Sequence, residues 1–402
     1  MMSERSGSLQ SLRRTNQERL FSLLLNRGPT HRAELARLAG VSRTTVSTII
    51  SELLERNLVI ETEPPAGKRL DGRAREVLTI NPAAGAAAGL DFTLRNIDVF
   101  ITDLAGQPLG NAGATIQADA SWTDRAAAAL ALLDNLLDEA RLSRPDLIGV
   151  GVGVPGQIAS ATGTVGPSLP GQAWVGVNVP HEFGQRLNVP VLVENNTRLE
   201  SVAEIMHGAG RGAQNLFYFG LSSGIGTGMF FNGELYRGAV GGAGELGHMS
   251  VDIDGPACPC GNRGCLIQYA AVPAILETLR PRFGAEVTIE EILDAADAGD
   301  RACAGVLSDA GQLVGRVLAN ICNLLNPERI VVGGELARAG DILLNPMRTS
   351  LQRYAMALSR EVELVPAQLE HGSRAGALGG AALVLRETPG LASILLRGAA
   401  LT

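Results

Sequence analysis

Four residues that bind soft metals stand close together in this chain. They are His248, Cys258, Cys260 and Cys265, in the run E-L-G-H-M-S-V-D-I-D-G-P-A-C-P-C-G-N-R-G-C from Glu245 to Cys265. One nitrogen and three thiolates form a tetrahedral donor set suited to Zn2+, and glycines between them let closely spaced thiolates turn onto one ion. The alternatives are a chance cluster of thiols, or a disulfide between two of them. Three of the five cysteines fall within eight residues, in a chain with no sign of export, and this favours the metal. No acid or nucleophile lies inside the cluster to use an open coordination position. The zinc is therefore expected to be structural, holding a loop that carries Glu245 and His248.

The totals bound what surrounds this loop. A chain of 402 residues is too long for one ordinary core, so two or three domains are expected. With 46% hydrophobic and 19% charged residues it is globular, and 49 glycines with few aromatics favour an α/β protein with many tight turns. The start, Met1 to Arg14, is polar rather than a signal peptide, and no apolar run is long enough to span a bilayer. Cys303 and Cys322 lie in apolar helical patterns and are expected as buried thiols, which together with the metal cysteines points to a cytoplasmic setting. The only lysine, Lys68, follows no Walker-type glycine run, so that phosphate loop is excluded. The net charge of −7 is uneven: residues 1–80 hold 13 Lys/Arg against 9 Asp/Glu, a balance of +4, leaving −11 for the rest. A basic head on an acidic body implies that the head meets a polyanion.

Residues 1–80 read as a winged helix-turn-helix. Leu20, Leu23 and Leu24 recur at helical spacing before Gly28-Pro29, and Thr30 is the expected N-cap of a second helix carrying Ala33, Leu35, Ala36 and Leu38. Ala39-Gly40-Val41 turns the chain, and Ser42 caps a third helix with Val46, Ile49, Ile50, Leu53 and Leu54 inward. That helix presents Arg43, Thr44, Thr45, Ser47 and Thr48 for base edges and phosphates, and Arg32 adds a further basic contact. Two strand-like runs flank P-P-A-G-K-R-L-D-G-R-A-R, a basic wing offering Lys68, Arg69, Arg73 and Arg75 to the DNA backbone or minor groove. A protein-interaction module with a solvated hairpin is the competing reading.

After Pro82 and the alanine-rich 83–88, two successive runs of strand, turn and strand predict a duplicated α/β body with a cleft. Its first lobe is placed at 81–200 and its second, with the zinc loop, at 201–402. Leu147–Val154 is a buried strand ending in Pro155-Gly156, and the strand at Val191–Val193 delivers Glu194-Asn195-Asn196-Thr197 to its C-terminal end. Ligand groups gather at such ends in open α/β sheets.

These residues resemble the ROK family (repressors, open reading frames and kinases), specifically its winged-helix repressors, from Thr15 to Arg386. The resemblance rests on G-R-A-R-E-V-L-T-I-N-P-A-A-G-A-A-A-G-L-D, V-P-G at 154–156, V-E-N-N-T, G-A-G-E-L-G-H, C-P-C-G-N-R-G-C-L and I-V-V-G-G. It implies two actin-like lobes related to sugar kinases, a sugar-binding cleft, a homodimer or homotetramer, and operator DNA as partner. Asn195, Glu245 and His248 resemble the family's sugar contacts, His248 serving both metal and ligand; Pro155 and Gly156 belong to the same cleft. Trp174 would either stack on a sugar's apolar face or plug the lobe, and Glu245 has a second reading as a loop carboxylate held by backbone N–H groups.

The departures separate the branches. Family kinases carry a catalytic aspartate where this chain has Asn196, and a carboxamide cannot take a proton from a sugar hydroxyl. The phosphate motif D-x-G-G-T is here Asp91-Phe92-Thr93-Leu94-Arg95, and the second phosphate turn, Ser222 to Gly228, is only partly retained. The glutamate expected after C-L is Ile267, a loss on the order of 2 kcal/mol or more for a hexose held through that carboxylate unless Gln268 replaces it. The expected function is a DNA-binding regulator, a repressor of sugar-related genes, with a non-catalytic body open to a sugar or sugar-phosphate effector. An atypical sugar kinase and a ligand-independent DNA-binding regulator are the alternatives.

Overall fold

Apolar residues at helical spacing fold the N-terminal segment into α1 (Met2–Arg27), α2 (Arg32–Ala39) and α3 (Arg43–Glu55). The computed structural model describes residues 2–63, 76–167, 173–369, 373–388 and 395. Gly40, at φ 64°, takes the left-handed conformation that ends α2 and sends the chain into α3. Ser42 caps α3 by accepting from Thr45 N–H at 3.0 Å. Val46, Ile49, Ile50 and Leu53 bury one face of α3 against Leu20, Leu24 and Leu35. β1 (Val59–Thr62) and β2 (Val77–Ile80) pair antiparallel with Val59 opposite Ile80. The basic wing tip, with Lys68, Arg69, Arg73 and Arg75, lies outside the described residues. Thr30 does not cap α2. His31 holds that position, and Thr30 exchanges both backbone hydrogen bonds with Leu78 at 3.0 Å each, so ladder pairing satisfies its backbone instead.

The first lobe contains β3 (Ala86–Phe92), β4 (Asn96–Asp103), β5 (Pro108–Thr115), α4 (Trp122–Glu139), β6 (Leu147–Val154), α5 (Val179–Leu187) and β7 (Val191–Asn195). Its sheet runs β5-β4-β3-β6-β7. Part of the alanine run expected as a boundary is strand: Ala86–Ala88 open β3 and are fully buried, small side chains under helices on both faces. α6 (Asn196–His207) then crosses to the second lobe.

That lobe holds β8 (Leu216–Leu221), β9 (Ile225–Phe231), β10 (Glu234–Leu235), α7 (Ile267–Ala270), α8 (Val272–Phe283), α9 (Ile289–Asp297), α10 (Arg301–Leu325), β11 (Arg329–Gly333), α11 (Asp341–Tyr354) and β12 (Glu363–Pro366). Its order, β10-β9-β8-β11-β12, repeats the first sheet's pattern of two antiparallel and two parallel pairings. β9 begins at Ile225, inside the run Ser222 to Gly228 expected as a turn. Gly226 and Gly228 lie against Thr197 and Ser201 of α6, so these glycines serve close packing within a strand rather than a turn.

α12 (Ser373–Glu387) returns to the first lobe and lies on β3, β4, β6 and α6, where Gly151 and Gly380 let the backbones touch. The segment 201–402 thus gives its last main helix to the other lobe. The head's core is continuous with this region through Ala87, Leu104, Ile148, Ala381, Val384 and Leu385. No helix among the described residues is long and apolar enough to cross a membrane.

Candidate functional site

On the head, Ser42, Arg43, Thr44, Ser47 and Thr48 are exposed and Thr45 is half-buried. Four of the expected DNA contacts already have intramolecular partners, among them Thr48, whose Oγ1 donates to Thr44 O at 3.1 Å. Ser42 Oγ is occupied by the cap and by Thr45 Oγ1 at 2.8 Å, and Arg32 Nη2 pairs with Glu61 at 2.6 Å. Arg43, Thr44 and Ser47 remain as an outward surface at the N-terminal turns of α3, where the helix dipole favours an anion.

The zinc-type residues converge. The donor atoms of His248, Cys258, Cys260 and Cys265 all lie within 4.8 Å of one another. Cys258 Sγ is 3.6 Å from His248 Nδ1, and Cys260 Sγ is 3.7 Å from Cys265 Sγ. A zinc tetrahedron with Zn–S of about 2.3 Å and Zn–N of about 2.0 Å has edges of about 3.8 and 3.6 Å, so the set fits a metal ion. Burial together with the neighbouring thiols pushes Cys265 up to about 12. Burial acts upward on Cys258 too, but hydrogen bonds from Cys260 and His248 outweigh it and bring that thiol to about 7. Three crowded thiolates need a cation among them. Because Nδ1 faces the cluster, His248 keeps Nε2 for another partner. Gln268 does not substitute for the missing glutamate: its amide donates to Cys258 Sγ at 3.6 Å, while Ile267 packs on the second-lobe core.

In the cleft, Asn195 caps α6 by accepting from Thr197 N–H at 3.0 Å and donates to Gly156 O at 3.0 Å. Asn196 Nδ2 donates to Asp91 Oδ1 at 2.6 Å and to Phe92 O at 3.1 Å. The loop carrying Glu245 and His248 is tied to this corner by Arg198, whose Nη2 donates to Gly241 O and Ala243 O at 2.7 Å each. Thr227 adds a 2.6 Å bond to Gly244 O. Pro155-Gly156, Asn195-Asn196 and the Glu245–His248 loop are thereby linked through two side chains, Asn195 and Arg198.

Trp174 is not a ligand platform. It is 1% exposed and packs against Phe92 at 4.8 Å and Phe183 at 6.3 Å between centroids, so it plugs the first lobe. An apolar ring of that size stabilises more by joining the apolar interior than by facing water.

Several residues that shape the site carry no local sequence signal. Arg125, in an alanine-rich helix, is 2% exposed and donates to the carbonyls of Thr93, Leu94, Gln117, Ala118 and Ala120 at 2.9–3.1 Å. It pins the turn at Thr93-Leu94 that follows β3. Glu194, 1% exposed, pairs with Arg198 at 2.9 Å and Arg237 at 2.5 Å. Their E-N-N-T-R spacing, i and i+4 on a helix entry, was the one readable clue.

Beneath Asn196 lies a group of buried carboxyls. Burial pushes the Asp91 carboxyl well above its usual range, and the charge of Glu200 adds to this against the Asn196 hydrogen bond. Glu200 rises to about 7, through burial and the charges of Glu204 and Glu335, against the hydrogen bond from Tyr218. Such a carboxyl is protonated in the fold and ionised when unfolded between pH 4.5 and about 7. Its contribution to stability is therefore present below pH 4.5 and lost as pH climbs to about 7. Glu200→Gln is expected to exceed the parent by up to about 3 kcal/mol in chemical denaturation at pH 8 and to match it near pH 4.5. A difference that does not change with pH would contradict this assignment.

Comparison with known proteins agrees with this architecture. The ROK family model matches residues 88–387, and a MarR family model matches residues 15–70. A xylose repressor of Bacillus spizizenii is 31% identical over 375 residues, covering 93% of this chain and 96% of the relative. A glucokinase of Halalkalibacterium halodurans is 33% identical over 271 residues, covering 63% of this chain and 81% of the relative. A crystal structure of a ROK family transcriptional regulator, a homologue of the E. coli Mlc protein, superposes with a TM-score of 0.82 at 24% identity, over 97% of this chain and all of that one. The repressor's match covers 93% of this chain, too much to leave out the head, whereas the glucokinase's covers 63%. By the match over most of its length, this chain belongs to the ROK family.

Proposed function

We propose that this protein is a DNA-binding transcriptional regulator, a repressor of sugar-related genes, whose two-lobed body binds a sugar or sugar derivative without phosphorylating it. The observation that carries the non-catalytic reading is the pair of bonds made by Asn196. Its amide donates to Asp91 and to Phe92 O, so a donor occupies the place where a kinase needs a proton acceptor. The full-length similarity to a xylose repressor, head included, supports regulation as the role.

In this reading Asn195, Glu245 and His248 Nε2 bind hydroxyls, and Arg43, Thr44, Thr45, Ser47 and Thr48 meet the major groove. Lys68, Arg69 and Arg73 meet the DNA backbone or minor groove. His248, Cys258, Cys260 and Cys265 hold a structural zinc that cross-links the loop and takes no part in chemistry. Two heads on a homodimer or homotetramer in the cytoplasm would read a two-fold operator. A ligand shifts the lobes only if it binds their two arrangements with different affinity.

Phosphotransfer from ATP to a panel of hexoses, pentoses and N-acetylhexosamines tests the non-catalytic claim. No turnover above the protein-free rate is expected. Turnover that disappears when Asn196 is changed to alanine would overturn it.

A further inference from the structure

We propose that the last turn of α12 is the element that couples the second lobe to the DNA-binding head. Arg386 and Glu387 hold the second lobe, while Val384 and Leu385 hold the head. The proposal rests on the regulator reading above.

Neighbouring residues on this one turn point to different bodies. Glu387 accepts from Arg237 Nη2 at 2.8 Å, and Arg237 belongs to the second-lobe loop that follows β10. Arg386 donates to Gly233 O, in the β9–β10 turn, and its guanidinium lies 5.7 Å from the Phe230 ring centroid. Both contacts reach the second lobe, although α12 itself lies on the first sheet. One and two residues earlier, Leu385 and Val384 are buried in the cluster that contains Leu20, Phe21 and Leu24 of α1. α1 and α12 are in direct contact. The head is therefore not a tethered module. Its core continues into the helix that the second lobe grips.

The grip can also rearrange. Arg237 is shared between Glu387 and the buried Glu194, so it can lean on one carboxylate as it leaves the other. A cavity of about 420 Å³, lined by Ser160, Thr162, Glu194, Arg237 and Glu387 among others, borders the bridge and leaves room for that movement. Glu194 directly precedes Asn195 and Asn196, so a change at the ligand corner reaches Arg237 through one residue. A displacement of the second lobe pulls on Arg386 and Glu387, and packed side chains pass it to α1 because such interfaces shift between discrete arrangements rather than stretch.

The test uses the full chain with its metal, the variants Glu387→Gln, Arg386→Met and Arg386→Lys, and a duplex selected by the parent from a random pool. Hydrogen exchange is followed in residues 16–25 of α1 and in the distant α8–α9 region, alongside duplex affinity. Glu387→Gln and Arg386→Met are expected to speed exchange in α1 and change duplex affinity by about fivefold or more, the lower end of ordinary coupling between sites. Exchange in α8–α9 should stay at the parent's rate, and Arg386→Lys, which keeps a cation over Phe230 and a donor for Gly233 O, should recover most of the effect. Parent-like α1 exchange and affinity in both variants would overturn the proposal. So would equal acceleration everywhere, which marks general destabilisation. If the parent selects no duplex, the regulator reading fails, but the exchange comparison still decides whether the head and second lobe are coupled.

Discussion

Replacing Cys260 with serine is expected to empty the metal site and unfold the loop around it, the largest effect of any single change considered. Apart from its own hydrogen bonds, the loop between His248 and Cys265 has little apolar burial to hold it. Ile253 is 82% exposed, and the bonds that hold the loop are polar ones such as Val251 N–H to Gly264 O and Cys258 N–H to Asn262 O, at 2.8 Å each. Where apolar burial is this thin, a metal cross-link takes over the role of a core. Structural zinc contributes about 10–16 kcal/mol of binding free energy in small zinc peptides, comparable with the whole stability of a domain, about 5–15 kcal/mol. Zinc content, by atomic absorption, should fall from about one per chain to a small fraction, and the melting temperature should fall with it. The consequence extends to the cleft, because His248 is both a metal-side residue and the last residue of the short helical turn that begins after Glu245. Unchanged melting and zinc content in the variant would count against a structural metal.

Arg198→Met is expected to cost about 3–5 kcal/mol, the range found when one partner of a buried ion pair is removed. Arg198 is 3% exposed and its three bonds all stay inside the protein: one to Glu194 and two to the carbonyls of Gly241 and Ala243. Methionine fills similar volume, so the loss is electrostatic rather than a cavity. Arg237 remains beside Glu194 and limits the damage, but it is shared with Glu387 and cannot supply the loop carbonyls. Urea denaturation checks the stability, and the Glu245–His248 loop should lose protection from hydrogen exchange at the same time. A stability change below about 1 kcal/mol would mean that the loop is held by something other than this arginine.

What was legible in the sequence was local. The cysteine cluster, the Ser42 cap and the third helix all depend on residues within a few positions of each other, and pattern exposes such relations. What was not legible depended on distant chain. Nothing around Arg125 announces that carbonyls 31 and 32 residues away will surround it. Arg237 reads as an ordinary loop arginine until α12 brings Glu387 to it from 150 residues along the chain. The side of the loop that Trp174 would take was undecided for the same reason, since Phe92 and Phe183 come from separate elements. Thr30 was misassigned because a hydroxyl before a helix is a good cap in isolation, while its backbone pairing with Leu78 is a tertiary event. Glycines at 226 and 228 looked like a phosphate turn and are strand positions that α6 presses against.

On the proposed reading, α3 of the head reads DNA on behalf of a body that performs no chemistry. Selection of duplexes from a random pool by the intact chain, followed by footprinting at about 150 mM salt, tests it most directly. One enriched sequence with two-fold symmetry is expected, with half-sites about one helical turn apart or a multiple of it, and with protection lost when Arg43 and Thr44 are changed to alanine. A pool that emerges without any preferred sequence would contradict it.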